Sequence, residues 1–358
     1  MERVEVVVVG AGVAGAAAAW ALGSAGREAL VVERFSPGHD RGSSHGPTRI
    51  FRFAYDDPFY VGLAQRTLPM WRALEEASGR ALLTITGGLD VGRADDLSSV
   101  AAALRTCGAP ADVLSASELR ERFPGLDLGD EYALFSPDAG VLAAQECVAA
   151  MLSASGVPIR SGAAVTSIAD GAGGVTLSLE DGSQIAAGTV ILAAGGWSGP
   201  LWSSAGIEAP LQVSREQVSY FEGGQTIPVV IDRGEILRYF VPPAHGAPGA
   251  KAGEHGTGER TTADGRSFQI DPEGQARVCE WMSQSFPAVN PAPVAAETCL
   301  YTLTPDEDFV IGRRGNIVFA SACSGHGFKF GPLIGEILAA LAFGQAPPVP
   351  IDRFSPGR

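Results

Sequence analysis

Residues 297–309, ETCLYTLTPDEDF, contain an isolated cysteine, Cys299, two positions before Tyr301 and ahead of a polar turn. No second cysteine stands at Cys-x-x-Cys spacing and no histidine is near, so the stretch reads neither as a zinc site nor as part of a disulfide framework. Alone, such a thiol is a small buried apolar group. Arg49 and Arg52, three residues apart, are flanked by Phe51 and Phe53, and Lys329 lies between Phe328 and Phe330. An arginine or lysine is ordinarily a solvated surface charge. Cations bracketed by aromatics instead suit a partly buried anion site.

Near the start of the chain, Gly10, Gly12 and Gly15 have the spacing G-x-G-x-x-G. They follow the β-branched run VEVVVV and precede an alanine-rich stretch with helical character. The first glycine permits a tight turn, and the second lets the backbone approach a pyrophosphate. The third lets helix and strand pack closely, while the helix N-terminus attracts phosphate. Glu33 closes the second strand, EALVVE, where a carboxylate can accept hydrogen bonds from a ribose and opposes a 2′-phosphate. The pattern indicates dinucleotide binding without separating FAD from NAD.

Three further stretches decide between them: GSSHGPTRIFRFAY (42–55), CLYTLTPDEDF (299–309) and SGHGFKFGP (324–332). With GAGVAG and the C-terminal DRFSPGR they span the chain, and together the sequence resembles the monomeric sarcosine oxidase and N-methyltryptophan oxidase group of FAD-dependent amine oxidases. The resemblance implies a covalent FAD, joined through a thioether from Cys299 to the flavin 8α-methyl. It implies that Arg52 and Lys329 grip a substrate carboxylate, with Arg49 against the flavin and His45 and His326 near it. It aligns Lys251 with the lysine that activates oxygen, at the family spacing to His255, and places Tyr301 among the catalytic residues. Arg34, Ser43, Thr48, Val165, Gly325, Gly327, Phe328 and Lys329 join Gly10, Gly12, Gly15, Glu33 and Cys299 as cofactor contacts. Counting back from Lys251, an active-site tyrosine of the family falls at Phe240, which predicts a pocket more apolar than a sarcosine site.

A mechanism independent of the resemblance follows from Gly331-Pro332, which open an apolar helix. Proline is favoured at the first helical position, and the N-terminus presents unpaired N–H groups and a positive dipole end. Aimed at the N1–C2 carbonyl edge of a flavin, it would stabilise negative charge there.

The elements that must position these residues give an α/β fold, α+β overall. It comprises a Rossmann-like FAD-binding domain and a second, sheet-rich substrate domain, both discontinuous. The expected boundaries are 1–80, 142–210 and 305–358 for the first, and 81–141 and 211–304 for the second. Periodicity predicts helices over 59–78, 95–106, 115–122 and 144–156, and a hairpin turning at Asp181-Gly182. It predicts strand-like character over 211–300, a loop over 245–265, and strand, glycine turn and helix over 316–344. Residues 34–56 form a long polar connection, a length usual in functional loops.

With 358 residues, 46% of them hydrophobic, the chain can bury a large core. Its formal net charge of −14 repels phosphate backbones and anionic lipid, so neither nucleic acid nor a membrane surface is an expected partner. Five scattered cysteines fit a reducing compartment, and no metal site is expected. The apolar N-terminal run lacks a positive n-region and is interrupted by the patterned glycines, so it reads as a β-α unit and the protein as cytoplasmic. No interface signal stands out, and a monomer is the expectation.

The expected activity is oxidation of a secondary amine or amino acid bearing a carboxylate, giving an imine and hydrogen peroxide, with the amine substrate and O₂ as small-molecule partners. The alternatives are a tailoring oxidase, a dehydrogenase of a cyclic imino acid, or a flavoprotein without turnover.

Overall fold

The computed structural model describes residues 2–129 and 131–357. Strand Glu2–Val9 is central to the first sheet because its side chains are buried on both faces from Val6 to Val9, as a parallel strand between helical layers requires. It pairs in parallel with Ala29–Val32 on one side and Gln184–Leu192 on the other. Ile159–Arg160 extends the first edge. On the second, Gln184–Leu192 pairs antiparallel with Gly174–Leu179 through its first half and parallel with Ile317–Ser321 through its second. Val165–Gly171 and Val310–Arg314 complete eight strands among the described residues.

Helices Val13–Ser24, Ala144–Ser155 and Gly331–Ala342 join Pro58–Ser78 in one apolar core against Val6 and Val8. The first and last of these pack unusually closely: a Cβ on Gly335 would lie 2.4 Å from the Ala17 backbone. On the opposite face Val7, Val9, Leu30 and Val32 pack with Trp202 and Phe319.

A nine-stranded sheet runs in the order Glu259–Thr261, Gln212–Gly223, Ala250–Glu254, Leu237–Val241, Val229–Arg233, Gly88–Gly92, Tyr132–Ser136 and Asp112–Leu114, with Val289–Leu303 on the other edge of Gln212–Gly223. A three-stranded sheet, Thr48–Phe51, Gly140–Ala143 and Leu83–Ile85, joins the halves. Every strand of the eight-stranded sheet falls within 1–80, 142–210 or 305–358, and every strand of the nine-stranded sheet within 81–141 or 211–304.

Three local expectations are corrected. Residues 245–265 contain strands Ala250–Glu254 and Glu259–Thr261. AKAGE has little strand propensity, but it pairs antiparallel with Ser219–Phe221 and Arg238–Val241 and is buried throughout, so tertiary pairing decides its conformation. The strand-like region 211–300 is interrupted by helix Pro272–Ser285. The Asp271 side chain caps it by accepting from the Glu273 and Gly274 N–H groups, Pro272 opens it, and Val278, Trp281, Met282 and Ser285 form its buried face. The connection 34–56 contains strand Thr48–Phe51, which fixes the spacing of Arg49 and Arg52. No helix is long and apolar enough to cross a membrane among the described residues.

Candidate active site

Both large sheets line a cavity of about 1340 Å³. On the nucleotide side, Gly10 has φ +102° and a Cβ there would lie 2.5 Å from the Ala193 carbonyl oxygen. A Cβ on Gly15 would lie 1.8 Å from the Gly10 oxygen, so that glycine fixes how closely helix and strand approach and does not itself line the cavity. Gly12 is the N-cap of helix Val13–Ser24 with no side-chain cap, and the Val13 N–H donates to Ser44 Oγ at 3.0 Å. Buried Glu33 accepts from the N–H groups of Ala11 (2.7 Å) and Phe35 (2.8 Å). Burial alone would raise its carboxyl, but contacts from His39, Phe35 and Ala11 outweigh it and hold it below the ordinary value. Arg34 and Trp197 both donate to Asp264, and Val165 lines the wall.

The segment 43–52 lines the cavity through Ser43, Ser44, His45, Arg49, Ile50 and Arg52. Arg49 donates to the carbonyls of Thr48 (2.8 Å) and Ser43 (2.7 Å), which pins the loop. Ser43 Oγ, His45 Nε2, Thr48 Oγ1 and Arg52 Nη1 are buried without a hydrogen-bond partner among the described residues. Native proteins leave few such groups, and all but Thr48 belong to cavity-lining residues. Thr48 contributes its carbonyl instead, which accepts from Lys251 Nζ at 2.5 Å. Burial, reinforced by Arg49, lowers the Lys251 ammonium to about 7. Burial and Arg49 likewise lower His45 to about 4, so its imidazole is neutral near pH 7. Its Nδ1 lies 3.7 Å from Glu297, whose other oxygen accepts from Tyr220.

Cys299 faces the same space from strand Val289–Leu303, with Glu297 and Tyr301 two positions either side on the same strand face. Burial raises its thiol to about 11, opposed by the cations of Arg49, Lys251 and Arg266. Gly325, at φ +74°, leaves room for His255 and Tyr301, which a Cβ there would meet at 2.4 Å. A Cβ on Gly327 would strike the Ala322 oxygen at 1.8 Å. The turn therefore delivers Phe328 and Lys329 into the cavity immediately before helix Gly331–Ala342.

Lys329 Nζ donates to Tyr55 Oη at 2.7 Å and to the His326 carbonyl at 2.8 Å. Tyr55 Oη lies 3.2 Å from His326 Nδ1, and His326 Nε2 lies 3.0 Å from the Glu307 carbonyl. The carbonyl can only accept, so the bonding pattern puts the proton on Nε2 and leaves Nδ1 to accept from Tyr55. Burial and the neighbouring Lys329 charge lower His326 to about 3, consistent with that neutral tautomer. Burial and Arg52 also push Lys329 well below the ordinary lysine range. Arg52 sits over the Tyr55 ring at 4.5 Å, and its Nη1 is 3.7 Å from Asp90. No hydrogen bond to its guanidinium is found among the described residues.

The structure brings together every expected site residue except Gly15, Thr48 and Phe240. Phe240 is fully buried and stacks on Phe286 at 4.6 Å in a separate core. Successive strand residues face opposite ways, and Tyr239 is the one that faces the cavity. Tyr301 lines the cavity with it, so a tyrosine hydroxyl from this strand belongs to the pocket. Sequence reasoning also passed over Tyr55, Asp90 and Arg233. Tyr55 closes the motif 42–55 and was within reach of it, whereas Asp90 and Arg233 carry no local signal.

The glycine cradle, the ribose-height carboxylate and the orphaned polar atoms fit a dinucleotide with a large aromatic ring system. Comparison with known proteins agrees. A family profile described as "FAD dependent oxidoreductase" (DAO) matches residues 5–341. The chain is 33% identical to the monomeric sarcosine oxidase of Streptomyces avermitilis, over 99% of this chain and 97% of that protein. It is 29% identical to the N-methyl-L-tryptophan oxidase of Yersinia pestis over 99% of each. The solved structure of NikD, an unusual amino acid oxidase essential for nikkomycin biosynthesis, superposes with a TM-score of 0.88 at 27% identity, covering 99% of this chain and 98% of that one. The chain belongs to the DAO family of FAD-dependent oxidoreductases, and is an oxidoreductase acting on the CH–NH group of donors.

Proposed function

We propose that this FAD-dependent oxidoreductase oxidises a secondary amine or amino acid carrying a carboxylate to an imine, with O₂ as acceptor and hydrogen peroxide as product. The observation that carries the reading is Arg52: a largely buried guanidinium lining the cavity, with no hydrogen-bond partner among the described residues and Asp90 3.7 Å from its Nη1, beside a lysine oriented by Tyr55 and His326. A charged group left in that state calls for an anionic ligand, and each charge-assisted bond to it contributes roughly 1.5–3 kcal/mol.

Gly10, Gly12, Glu33, Arg34, Ser43, Val165, Gly325, Gly327 and Phe328 would hold FAD, with Cys299 joined to it by a thioether. The two large sheets correspond to a cofactor domain and a substrate domain in this reading. The chemistry FAD supplies when bound is two-electron oxidation of a C–H bond next to an amine nitrogen. Arg52 and Lys329 clamp the carboxylate and so orient that C–H bond. Neutral His326 holds Tyr55 as an acceptor for Lys329, which keeps the ammonium aimed at the substrate. Lys251, fixed by the Thr48 carbonyl, supplies a positive charge that stabilises negative charge developing on oxygen. The N-terminus of helix Gly331–Ala342, directly after cavity-lining Phe328 and Lys329, would direct a positive dipole end toward the flavin.

Two measurements test this. Acid precipitation of purified protein should leave the yellow colour in the pellet, and Cys299→Ser should release it to the supernatant. Colour released by the unmodified protein would remove the thioether. Anaerobic bleaching by a panel of N-methyl and cyclic amino acids, followed by peroxide detection with and without an artificial acceptor, tests the reaction. Bleaching without peroxide would make the protein a dehydrogenase.

A further inference from the structure

The carboxylate clamp does not account for all the positive charge in the cavity. Arg233, at the end of strand Val229–Arg233, lines the same space as Arg52 and Lys329. Asp90, on the neighbouring strand Gly88–Gly92, is the anion between the two arginines. Its Oδ1 lies 2.9 Å from Arg233 Nε, 2.8 Å from Arg233 Nη2 and 3.7 Å from Arg52 Nη1. One carboxylate thus faces two guanidinium groups, and Lys329 adds a third cationic group across the Tyr55 ring.

The arrangement is graded. Lys329 is 4% exposed, and the Arg52 and Arg233 side chains 13% and 17%, so Arg233 is the most open of the three. Asp90 occupies the Nε–Nη2 edge of Arg233, and no other hydrogen bond to that guanidinium is found among the described residues, which leaves Nη1 to donate. The rim acids do not neutralise the group. Asp57 and Asp308 are bound to Arg353, Glu307 lies beside His255, and Asp56 and Asp306 are exposed to solvent. With all three cations charged, a monocarboxylate would leave one positive charge uncompensated in a partly buried site, which is unfavourable. Two carboxylates balance it.

We propose that Arg233 forms a second anion subsite and that the substrate is a secondary amine bearing two carboxylates, one held by Arg52 and Lys329 and the other by Arg233. This rests on the carboxylate clamp proposed above and narrows its substrate class. The distal carboxylate would lie toward the more open side, with the amine between the two ends.

Calorimetric titration of the holoenzyme with two unreactive thioethers tests the proposal. Thiodiacetate carries two carboxylates and (methylthio)acetate one, with sulfur in place of the amine. Thiodiacetate should bind about tenfold or more tightly than (methylthio)acetate, and Arg233→Met should bring the ratio to about one. A ratio near one in the unmodified enzyme, or a preference that survives Arg233→Met, overturns the subsite. Should Arg233→Met not fold, Arg233→Lys keeps the partner for Asp90 but lacks the second donor edge. The ratio must then fall severalfold, and an unchanged ratio also overturns it. Arg52→Met separates the two readings: if it binds (methylthio)acetate as tightly as the unmodified enzyme, the clamp itself fails and this inference with it.

Discussion

The nucleotide end and the substrate end of the cavity are built from different materials. At the first, selectivity comes from missing side chains: Gly10, Gly12 and Gly15 sit within six residues, and the buried carboxylate, Glu33, is bound by two backbone N–H groups. At the second, it comes from cations that burial works against. Arg52, Arg233, Lys251 and Lys329 stand on four separated segments, and both lysines are held below their ordinary basicity. The nucleotide end is shaped before any ligand arrives. On the proposed reading, the substrate end carries an electrostatic strain that a bound anion would relieve.

The strongest way to break this contrast is at Lys251. Lys251→Met should slow reoxidation of the reduced enzyme by O₂ about 100–1000-fold, the scale for removing one preorganised charge-stabilising group. Anaerobic reduction by substrate should fall far less. Stopped-flow traces that slow equally in both half-reactions would mean that the lysine only holds the Thr48 loop. Next is Arg52→Met, expected to weaken binding of a carboxylate inhibitor by roughly 10–100-fold, one to two charge-assisted bonds. A spectral titration showing less than a twofold change would take the carboxylate away from this site.

At the nucleotide end the effects should be steric. Gly15→Ala places a Cβ 1.8 Å from the Gly10 oxygen, whereas Gly12→Ala meets the Ser44 side chain, its Oγ at 3.2 Å. The first should destabilise by about 1–3 kcal/mol, as overpacking does, and the second by less. Chemical denaturation of the cofactor-free protein compares them directly, and the reverse order would contradict the packing assignment.

The smallest effect concerns pH. Lys251 has a folded value of about 7 against an ordinary 10.5, so between these limits the unfolded chain binds the extra proton. Stability therefore rises with pH across that window, and the burial penalty is fully present below about 7. Lys251→Met should raise Tm more at pH 6 than at pH 9.5. An equal gain at both would show that the ammonium is not penalised by burial. The same protonation predicts that the oxygen step weakens as pH rises through about 7.

The two ends also differ in how far they could be read from the chain. The glycine cradle is contiguous and its partner carboxylate closes the next strand, so spacing alone located it. Helix Pro272–Ser285 had its cap, its proline and its periodic buried face in plain view and was overlooked within a strand-rich region. Strand Ala250–Glu254 could not be read locally, because alanine and glycine there are held extended by neighbours on both sides. The exchange of Phe240 for Tyr239 shows the same limit at finer scale. Counting along a strand fails by one residue, and one residue reverses the face.

What the order of residues determined by itself was the nucleotide-binding β-α unit, the three motif stretches and the cationic character of the segments at 49–52 and 329. These depend on backbone freedom and local chemistry, which adjacent residues set among themselves. What only the folded chain decided was the pairing of Asp90 with Arg233 and Arg52, the desolvation that shifts Lys251, Lys329 and His326, and the choice of Tyr239 over Phe240. Each depends on distances between segments far apart in the sequence and on exclusion of water, and neither exists until the sheets close around the cavity.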